Sequence, residues 1–107
     1  DRGEENGDGT WGRNFRWIDY SGVINGKRAG ILVIPDPANT RPCWSHSRDY
    51  GVLASNPFPK QPSERREPYV TTRVRKGEPL RMAYTIIIHE SDDQKFDQRR
   101  ILGDFLR

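Results

Sequence analysis

The stretch SGVINGKRAGILVI, residues 21–34, carries the clearest fold signal in the chain. Asn25-Gly26 favours a two-residue hairpin turn, because both positions tolerate positive φ. Residues 28–34 form an almost continuous apolar run, which is typical of a strand covered on both faces. The stretch therefore predicts a tight β-turn that leads directly into a strand inside a larger sheet.

Further strands are predicted on both sides of this stretch. Residues 11–20 alternate, with Phe15 and Trp17 on one face and Arg16 and Ile18 on the other, whereas residues 43–50 show no clean periodicity. Additional strands are expected over residues 51–55, 69–74 and 80–89, with a turn at residues 76–78. The last of these places five residues on one face: Leu80, Met82, Tyr84, Ile86 and Ile88. About five strands without a βαβ rhythm favour an antiparallel sheet.

In the C-terminal segment, the spacing of apolar residues changes from that of a strand to that of a helix. Ile101, Leu102, Phe105 and Leu106 form a helical stripe within residues 92–107. Ser91 or Asp92 would cap the helix at its N-terminus. We therefore predict one C-terminal helix.

The composition limits the size of the core. Apolar residues make up 33% of the 107 residues, against the roughly 45–50% of ordinary globular domains, and 31% are charged. We expect another domain, a missing portion of the chain or a second copy to complete the core. Residues 1–10 are predicted to be a flexible N-terminal segment, and residues 11–107 a single β portion.

Charge and motif content argue against several classes of function. The net charge is +3 and the basic residues are scattered among acidic ones, so we expect no nucleic-acid partner. No apolar run approaches the ~20 residues that span a bilayer, so a soluble protein without a membrane span is predicted. Phosphate-binding and nucleophile-elbow motifs do not occur, and no cofactor is predicted. The single cysteine, Cys43, is interpreted as a buried inert thiol.

Side chains that suit a saccharide are concentrated in two segments, residues 17–21 and 44–56. Aromatic rings offer apolar faces for the C–H side of a sugar, and charged or amide groups offer directional hydrogen bonds to hydroxyls. The predicted binding residues are Trp17, Tyr20, Trp44, Arg48, Tyr50 and Asn56. The predicted catalytic residues are His46, Asp49 and Asp19. His46 would exchange protons with Asp49 or Asp19, since histidine titrates near neutral pH.

Alternative interpretations of these residues stay open. In a non-catalytic structural or assembly module, the aromatic residues would pack at a rim and Arg48 would pair with Asp19 or Asp49 to hold loops together. His46, His89 and Glu90 have the chemistry of metal ligands, but their spacing does not indicate a site and no metal is predicted.

A glycosidase-type carboxylate pair is a further alternative. Asp36 with Asp97 or Glu90 would supply it, although no sequence spacing indicates such a pair.

Five short strings, taken in order, resemble one bacterial family. They are Trp17-x-Asp19-Tyr20-Ser21-Gly22, then Gly26-Lys27, then Gly30-Ile31 leading through Pro37 and Asn39, then His46-x-Arg48-Asp49-Tyr50-Gly51, and last Asn56-Pro57-Phe58. From about residue 11 onward, this order resembles the uncharacterised bacterial "PmoA family", also called methane oxygenase PmoA-like.

The resemblance implies a fold and a setting. The fold would be an antiparallel β-sandwich, a portion of a galactose-mutarotase-like supersandwich. Because members of that family are longer, residues 11–107 would be one β-sandwich portion, the C-terminal part of a longer protein. By fold analogy, the function would be carbohydrate recognition or processing in a bacterial exported or periplasmic setting. The name implies methane oxidation, which the sequence opposes. A subunit of that kind crosses the membrane repeatedly, and the mean hydropathy here is −0.93.

Overall fold

The computed structural model describes residues 7–58, 73–91, 100 and 102–103. This part of the chain is mainly β, with one helical turn, α1 (Gly7–Thr10), ahead of the strands. The strands are β1 (Asn14–Phe15), β2 (Ile18–Ile24), β3 (Lys27–Pro35), β4 (Cys43–Arg48), β5 (Val52–Asn56) and β6 (Tyr84–Ser91). They form two antiparallel sheets, sheet A with the order β1-β4-β5 and sheet B with the order β2-β3-β6.

The hairpin between β2 and β3 confirms the turn predicted from the sequence. Ile24 pairs with Lys27 across the two-residue turn. Asn25 has φ 52° and Gly26 has φ 78°, the positive values that such a turn requires. The predicted turn at residues 76–78 is also present, with Gly77 at φ 83° and a backbone bridge between Arg75 and Glu78.

The chain crosses from sheet A to sheet B between β1 and β2. Arg16 and Trp17 separate these strands, so the single strand predicted over residues 11–20 is wrong. Phe15 and Ile18, predicted on opposite faces, are both buried in the same cluster. The period-2 rule assumes one continuous strand, and the crossing breaks that continuity.

Two clusters of buried side chains cover the two faces of β3. The first joins the sheets and contains Phe15, Ile18 and Cys43, with Val33, Leu53 and Met82 packed against it. The second lies on the other face of sheet B and contains Leu32, Ile34 and Leu102, with Trp17 and Ile87 packed against it. The prediction that β3 is covered on both faces is confirmed over residues 32–34.

β6 begins later than the sequence predicts. Tyr84, Ile86 and Ile88 share a face as expected, but Ile88 is 82% exposed there. Residues 81–83 instead bond to the loop after β3. Asn39 accepts from the Ala83 amide at 2.6 Å and donates to the Ala83 carbonyl at 2.9 Å. These bonds take the place of a strand ladder before residue 84.

Several predictions fall at or beyond the limits of the described residues. Residues 7–10 of the segment predicted to be flexible form α1, and Thr10 bonds to Ser45 and Ser47 of β4. Arg100, Leu102 and Gly103 have helical conformation, but the other residues of the segment predicted as a C-terminal helix lie outside the described residues, so that helix stays a prediction. Residues 69–72 of another predicted strand also lie outside them. Within the described ranges, no helix has the length and apolar character to cross a membrane.

Candidate functional site

Sheet A carries aromatic and basic side chains on the face that points away from sheet B. The side chains of β4 that point inward are Cys43, Ser45 and Ser47. Because side chains alternate along a strand, the outward face carries the other three, Trp44, His46 and Arg48. Side-chain contacts add Trp11, Arg41 and Phe58 to this face. We refer to these six residues as the arginine–aromatic face.

The first half of the face is built around Trp11. The indole Nε1 of Trp11 donates to Nδ1 of His46 at 2.9 Å, and the two rings meet edge to face with centroids 5.9 Å apart. The guanidinium carbon of Arg48 lies 5.1 Å from the centroid of the Trp11 ring. Since an indole N–H only donates, Nδ1 of His46 is the acceptor, and the proton of the neutral imidazole is on Nε2. His46 is exposed and therefore presents an N–H donor to solvent.

The second half of the face is built around Arg41. Its guanidinium carbon lies 5.9 Å from the centroid of Trp44 and 5.8 Å from that of Phe58, within the range of cation–π attraction. Arg41 is only 9% exposed. Among the residues that the structure describes, no acceptor bonds to its Nε or Nη2. A buried arginine with two unsatisfied donors is uncommon, since buried charged groups are normally paired.

Asn56 shapes the face through the backbone. Its Oδ1 accepts a hydrogen bond from the amide of Phe58 at 2.8 Å, and Asn56 pairs with Trp44 in the ladder of sheet A. This short side-chain-to-backbone bond fixes the chain where it leaves β5. Asn56 therefore positions Phe58 next to Arg41.

Two predicted contributions to the site need correction. Trp44 is 6% exposed, so its ring supports Arg41 and is not an open platform for a sugar. Phe58, at 51% exposure, presents the open ring in this half of the face. Trp17 packs against Leu32 and Ile34 in sheet B, away from the arginine–aromatic face.

Tyr20 ties the end of β4 to sheet B. Its hydroxyl donates to the carbonyl of Arg48 at 2.5 Å and accepts from the amide of Gly51 at 2.9 Å. Asp49 and Tyr50, in the turn held by these bonds, are exposed, and Tyr50 is 80% exposed. The Tyr20 hydroxyl therefore acts both as donor and as acceptor towards backbone groups.

Asp19 does not join His46. Its Oδ1 lies 2.7 Å from Nε2 of His89, and both side chains are almost fully buried. The pair lies on the face of sheet B that carries Leu32, whereas His46 is on the outer face of sheet A. The predicted acid–base pair of His46 with Asp19 is therefore wrong. For the same reason, the alternative tie between Arg48 and Asp19 is wrong as well.

A concave region lies between the sheets. It is a partly open cavity of about 260 Å³, lined by Phe15, Ile18, Val33, Leu53, Ser55, Tyr84 and Ile86. The Tyr84 hydroxyl lies 3.2 Å from Sγ of Cys43 and accepts from Ser55 at 3.3 Å. Burial, followed by the hydrogen bond with Cys43, raises the pKa of Tyr84 above 10.0. The mainly apolar lining offers too few directional groups for a sugar.

A metal site has no support in the described ranges. They contain no cluster of three or more histidine, cysteine, aspartate or glutamate side chains that could hold an ion.

The described ranges therefore define a mainly β protein whose polar and aromatic groups converge on the outer face of sheet A. A family model matches residues 1–101, and the chain belongs to that family, the family of unknown function DUF6807. No curated protein and no solved structure matches the chain significantly.

Three residues of the face were not predicted as site residues, namely Trp11, Arg41 and Phe58. Trp11 and His46 are 35 positions apart, so no local pattern links them. Arg41 belongs to residues 35–42, which contain three prolines and turn-favouring residues but no pattern that indicates a site. The one usable signal was the string Asn56-Pro57-Phe58, in which an Asn two positions before Phe58 favours a local turn.

Proposed function

We propose that the arginine–aromatic face binds a saccharide. The observation that carries this proposal is the interleaving of rings and guanidinium groups on one sheet face, with Arg48 over Trp11 and Arg41 over Trp44 and Phe58. The exposed ring of Phe58 suits the C–H side of a sugar, and the outward N–H of His46 suits a hydroxyl. Binding is the core of the proposal, and proton transfer by His46 and Asp49 would be an addition to it.

The fold is compatible with this function. The two antiparallel sheets share a buried cluster formed by Phe15, Ile18 and Cys43, as expected for a β-sandwich. We further propose that the sandwich is a portion of a galactose-mutarotase-like fold and that the protein acts in a bacterial exported or periplasmic setting. Similarity of its motifs to the PmoA family supports both proposals by fold analogy.

A second candidate is a non-catalytic assembly module. The observation in its favour is an exposed apolar pair on sheet B, in which Ile31 of β3 lies opposite Ile88 of β6. Exposed apolar patches on sheets often mark contacts with another domain or another copy of the chain. In this case Tyr20 and the Asp19–His89 pair would hold the module together, and the arginine–aromatic face would bind no sugar.

The test is a glycan screen of the unmodified chain, followed by calorimetry on two variants. Trp11→Phe keeps the ring but removes the N–H that orients His46, and His46→Ala removes the outward donor. We expect each to weaken saccharide binding at least about tenfold, equivalent to about 1.4 kcal/mol. The stability of His46→Ala should change by less than about 0.5 kcal/mol, because the residue is exposed. Arg75→Ala, an exposed arginine at the turn of residues 75–78, is the matched control.

Two outcomes would contradict the proposal. In the first, the unmodified chain binds no glycan and self-associates in sedimentation, and Ile88→Ser abolishes the self-association. This result would favour the assembly module. The second is a glycan whose affinity is the same in Trp11→Phe, His46→Ala and Arg75→Ala, which would move the binding site away from this face.

A further inference from the structure

Arg41 is held in one orientation before any ligand arrives. It lies just ahead of β4, and its guanidinium carbon is within 6 Å of the centroids of Trp44 and Phe58. The rings attract the charge but provide no hydrogen-bond acceptor to the N–H groups in the plane of the guanidinium. The two aromatic contacts therefore fix the guanidinium and leave its donors to other partners.

The two donors without a partner are next to each other. Nε–H and one N–H of Nη2 point in the same direction along one edge of a guanidinium, which is the edge that binds two oxygens at once. Within the part of the chain that the structure describes, neither nitrogen has a hydrogen-bond partner, and Arg41 is more than nine-tenths buried. A buried charged group in this state is unfavourable unless a charged or strongly polar acceptor meets it.

A carboxylate fits this edge best. Its two oxygens lie in one plane at the spacing of the two N–H groups, and its charge neutralises the guanidinium. The rings of Trp44 and Phe58 both lie close to the guanidinium, which favours a planar acceptor over a tetrahedral one. Sulfate and phosphate groups have the same charge sign but extend out of that plane.

We propose that Arg41 binds the carboxylate of an acidic sugar residue, so that the saccharide recognised by the arginine–aromatic face is a uronate-containing one. This inference rests on the proposed saccharide function and adds the substrate class to it. Nε and Nη2 are buried in the free protein, so a carboxylate reaches them only when a neighbouring side chain moves aside. His46 and Arg48, farther along β4, bind the neighbouring part of the same ligand.

The first test needs no substitution. Calorimetry compares an oligogalacturonate with its methyl ester and with a neutral oligosaccharide of equal length, using the full chain. The ester keeps both oxygens but removes the charge, and a site built on charge-assisted bonds rejects it. We expect the acid to bind at least about tenfold more tightly than the ester. A sulfated oligosaccharide forms a fourth arm and should bind more weakly than the uronate.

The second test removes the guanidinium edge formed by Nε and Nη2 and keeps the positive charge. Arg41→Lys retains a cation but cannot bind both oxygens in one plane, so the ratio of acid to ester affinity should fall towards one. The affinity for the neutral oligosaccharide should stay within about twofold, which also shows that the variant is folded. Arg81→Lys, an exposed arginine outside the face, should keep the full preference for the acid.

The outcomes separate this inference from the function on which it rests. Equal binding of acid, ester and neutral sugar by the unmodified chain would overturn the carboxylate site and leave saccharide binding intact. Binding of no saccharide would overturn both. Binding of an acidic peptide that depends on Arg41, without binding of any uronate, would assign the edge to a protein carboxylate and contradict the proposal.

Discussion

Nε2 of His89 lies 2.7 Å from Oδ1 of Asp19 and joins two strands of sheet B that are not neighbours. Asp19 belongs to β2 and His89 to β6, and β3 runs between them. The contact is possible because the residue of β3 opposite His89 is Gly30. A Cβ at Gly30 would lie 2.7 Å from the imidazole Nε2 and 2.6 Å from Cβ of Ser21. The absence of a side chain at one position therefore allows a polar contact across three strands.

Replacing Gly30 by Ala should destabilise the protein through this steric conflict. The Cβ of Ser21 is not the end of a flexible side chain, so relief requires movement of the backbone or loss of the His89–Asp19 bond. Overpacking of this kind costs about 1–3 kcal/mol, measured as the change in the free energy of unfolding in urea. Gly22→Ala is the matched control, because a Cβ there meets nothing within 4 Å. Equal effects of the two substitutions would contradict the proposed role of Gly30.

The buried Asp19–His89 pair should contribute more to stability than the exposed Lys27–Glu90 pair of the same sheet. Asp19→Ala leaves a buried imidazole without its carboxylate, at a cost of roughly 1–3 kcal/mol for the lost buried hydrogen bond. Glu90→Ala removes a partner at 3.1 Å from an exposed pair and should cost less than about 1 kcal/mol. Urea unfolding of both variants measures this difference. Saccharide affinity per folded molecule should be unchanged in Asp19→Ala, and a selective loss of affinity would restore Asp19 to the site.

Tyr20→Phe distinguishes a structural hydroxyl from a ligand-binding one. The hydroxyl bonds to the Arg48 carbonyl and the Gly51 amide, so its removal should cost about 1–3 kcal/mol of unfolding free energy. Tyr50→Phe, at an exposed tyrosine in the same turn, should have almost no effect on stability. Thermal melts provide the comparison. If Tyr20→Phe weakened saccharide binding without changing the melt, the sequence-based placement of Tyr20 in the site would be correct after all.

The accuracy of sequence-based prediction varies along this chain with the range of the interactions involved. Asn25-Gly26 identified its hairpin because the requirement for positive φ is local to the turn. β4 was missed because two of its inward residues, Ser45 and Ser47, are polar. Their hydroxyl groups form hydrogen bonds with Thr10, which allows them to be buried. The inward and outward positions of this strand both include polar residues, so residues 43–48 show no alternation that a sequence pattern can detect.

The candidate site was predicted only in part, for a similar reason. The concentration of ring, imidazole and guanidinium groups in residues 44–48 was visible, and the structure places Trp44, His46 and Arg48 on one face. The partners that orient them are distant in sequence. Trp11 and His46 are 35 positions apart. The pairing that keeps Asp19 out of the site joins it to His89, 70 positions away, and depends on Gly30, which no motif connects with either residue. Neither contact has a local signature in the sequence.

The titration of Tyr84 tests the packing between the sheets. Burial and the hydrogen bond with Cys43 raise its pKa above 10.0, so the folded state holds the phenolic proton more tightly than the unfolded state does. By linkage, the stabilisation that this side chain provides is fully present below about pH 10 and is lost as the pH rises through the higher folded pKa. The pH dependence of stability above pH 10 should therefore be less steep in Tyr84→Phe than in the unmodified protein.

Two measurements check this prediction. Ultraviolet absorbance of tyrosinate in the folded protein should show a titration above pH 10 that disappears in Tyr84→Phe. Urea unfolding should show a constant difference in stability between the two proteins up to about pH 10 and a shrinking difference above it. Tyr50→Phe is the control, because this exposed tyrosine lies outside the cavity between the sheets. A Tyr84 that titrated at or below pH 10, with a constant stability difference throughout, would show that the Cys43–Tyr84 contact does not form in solution.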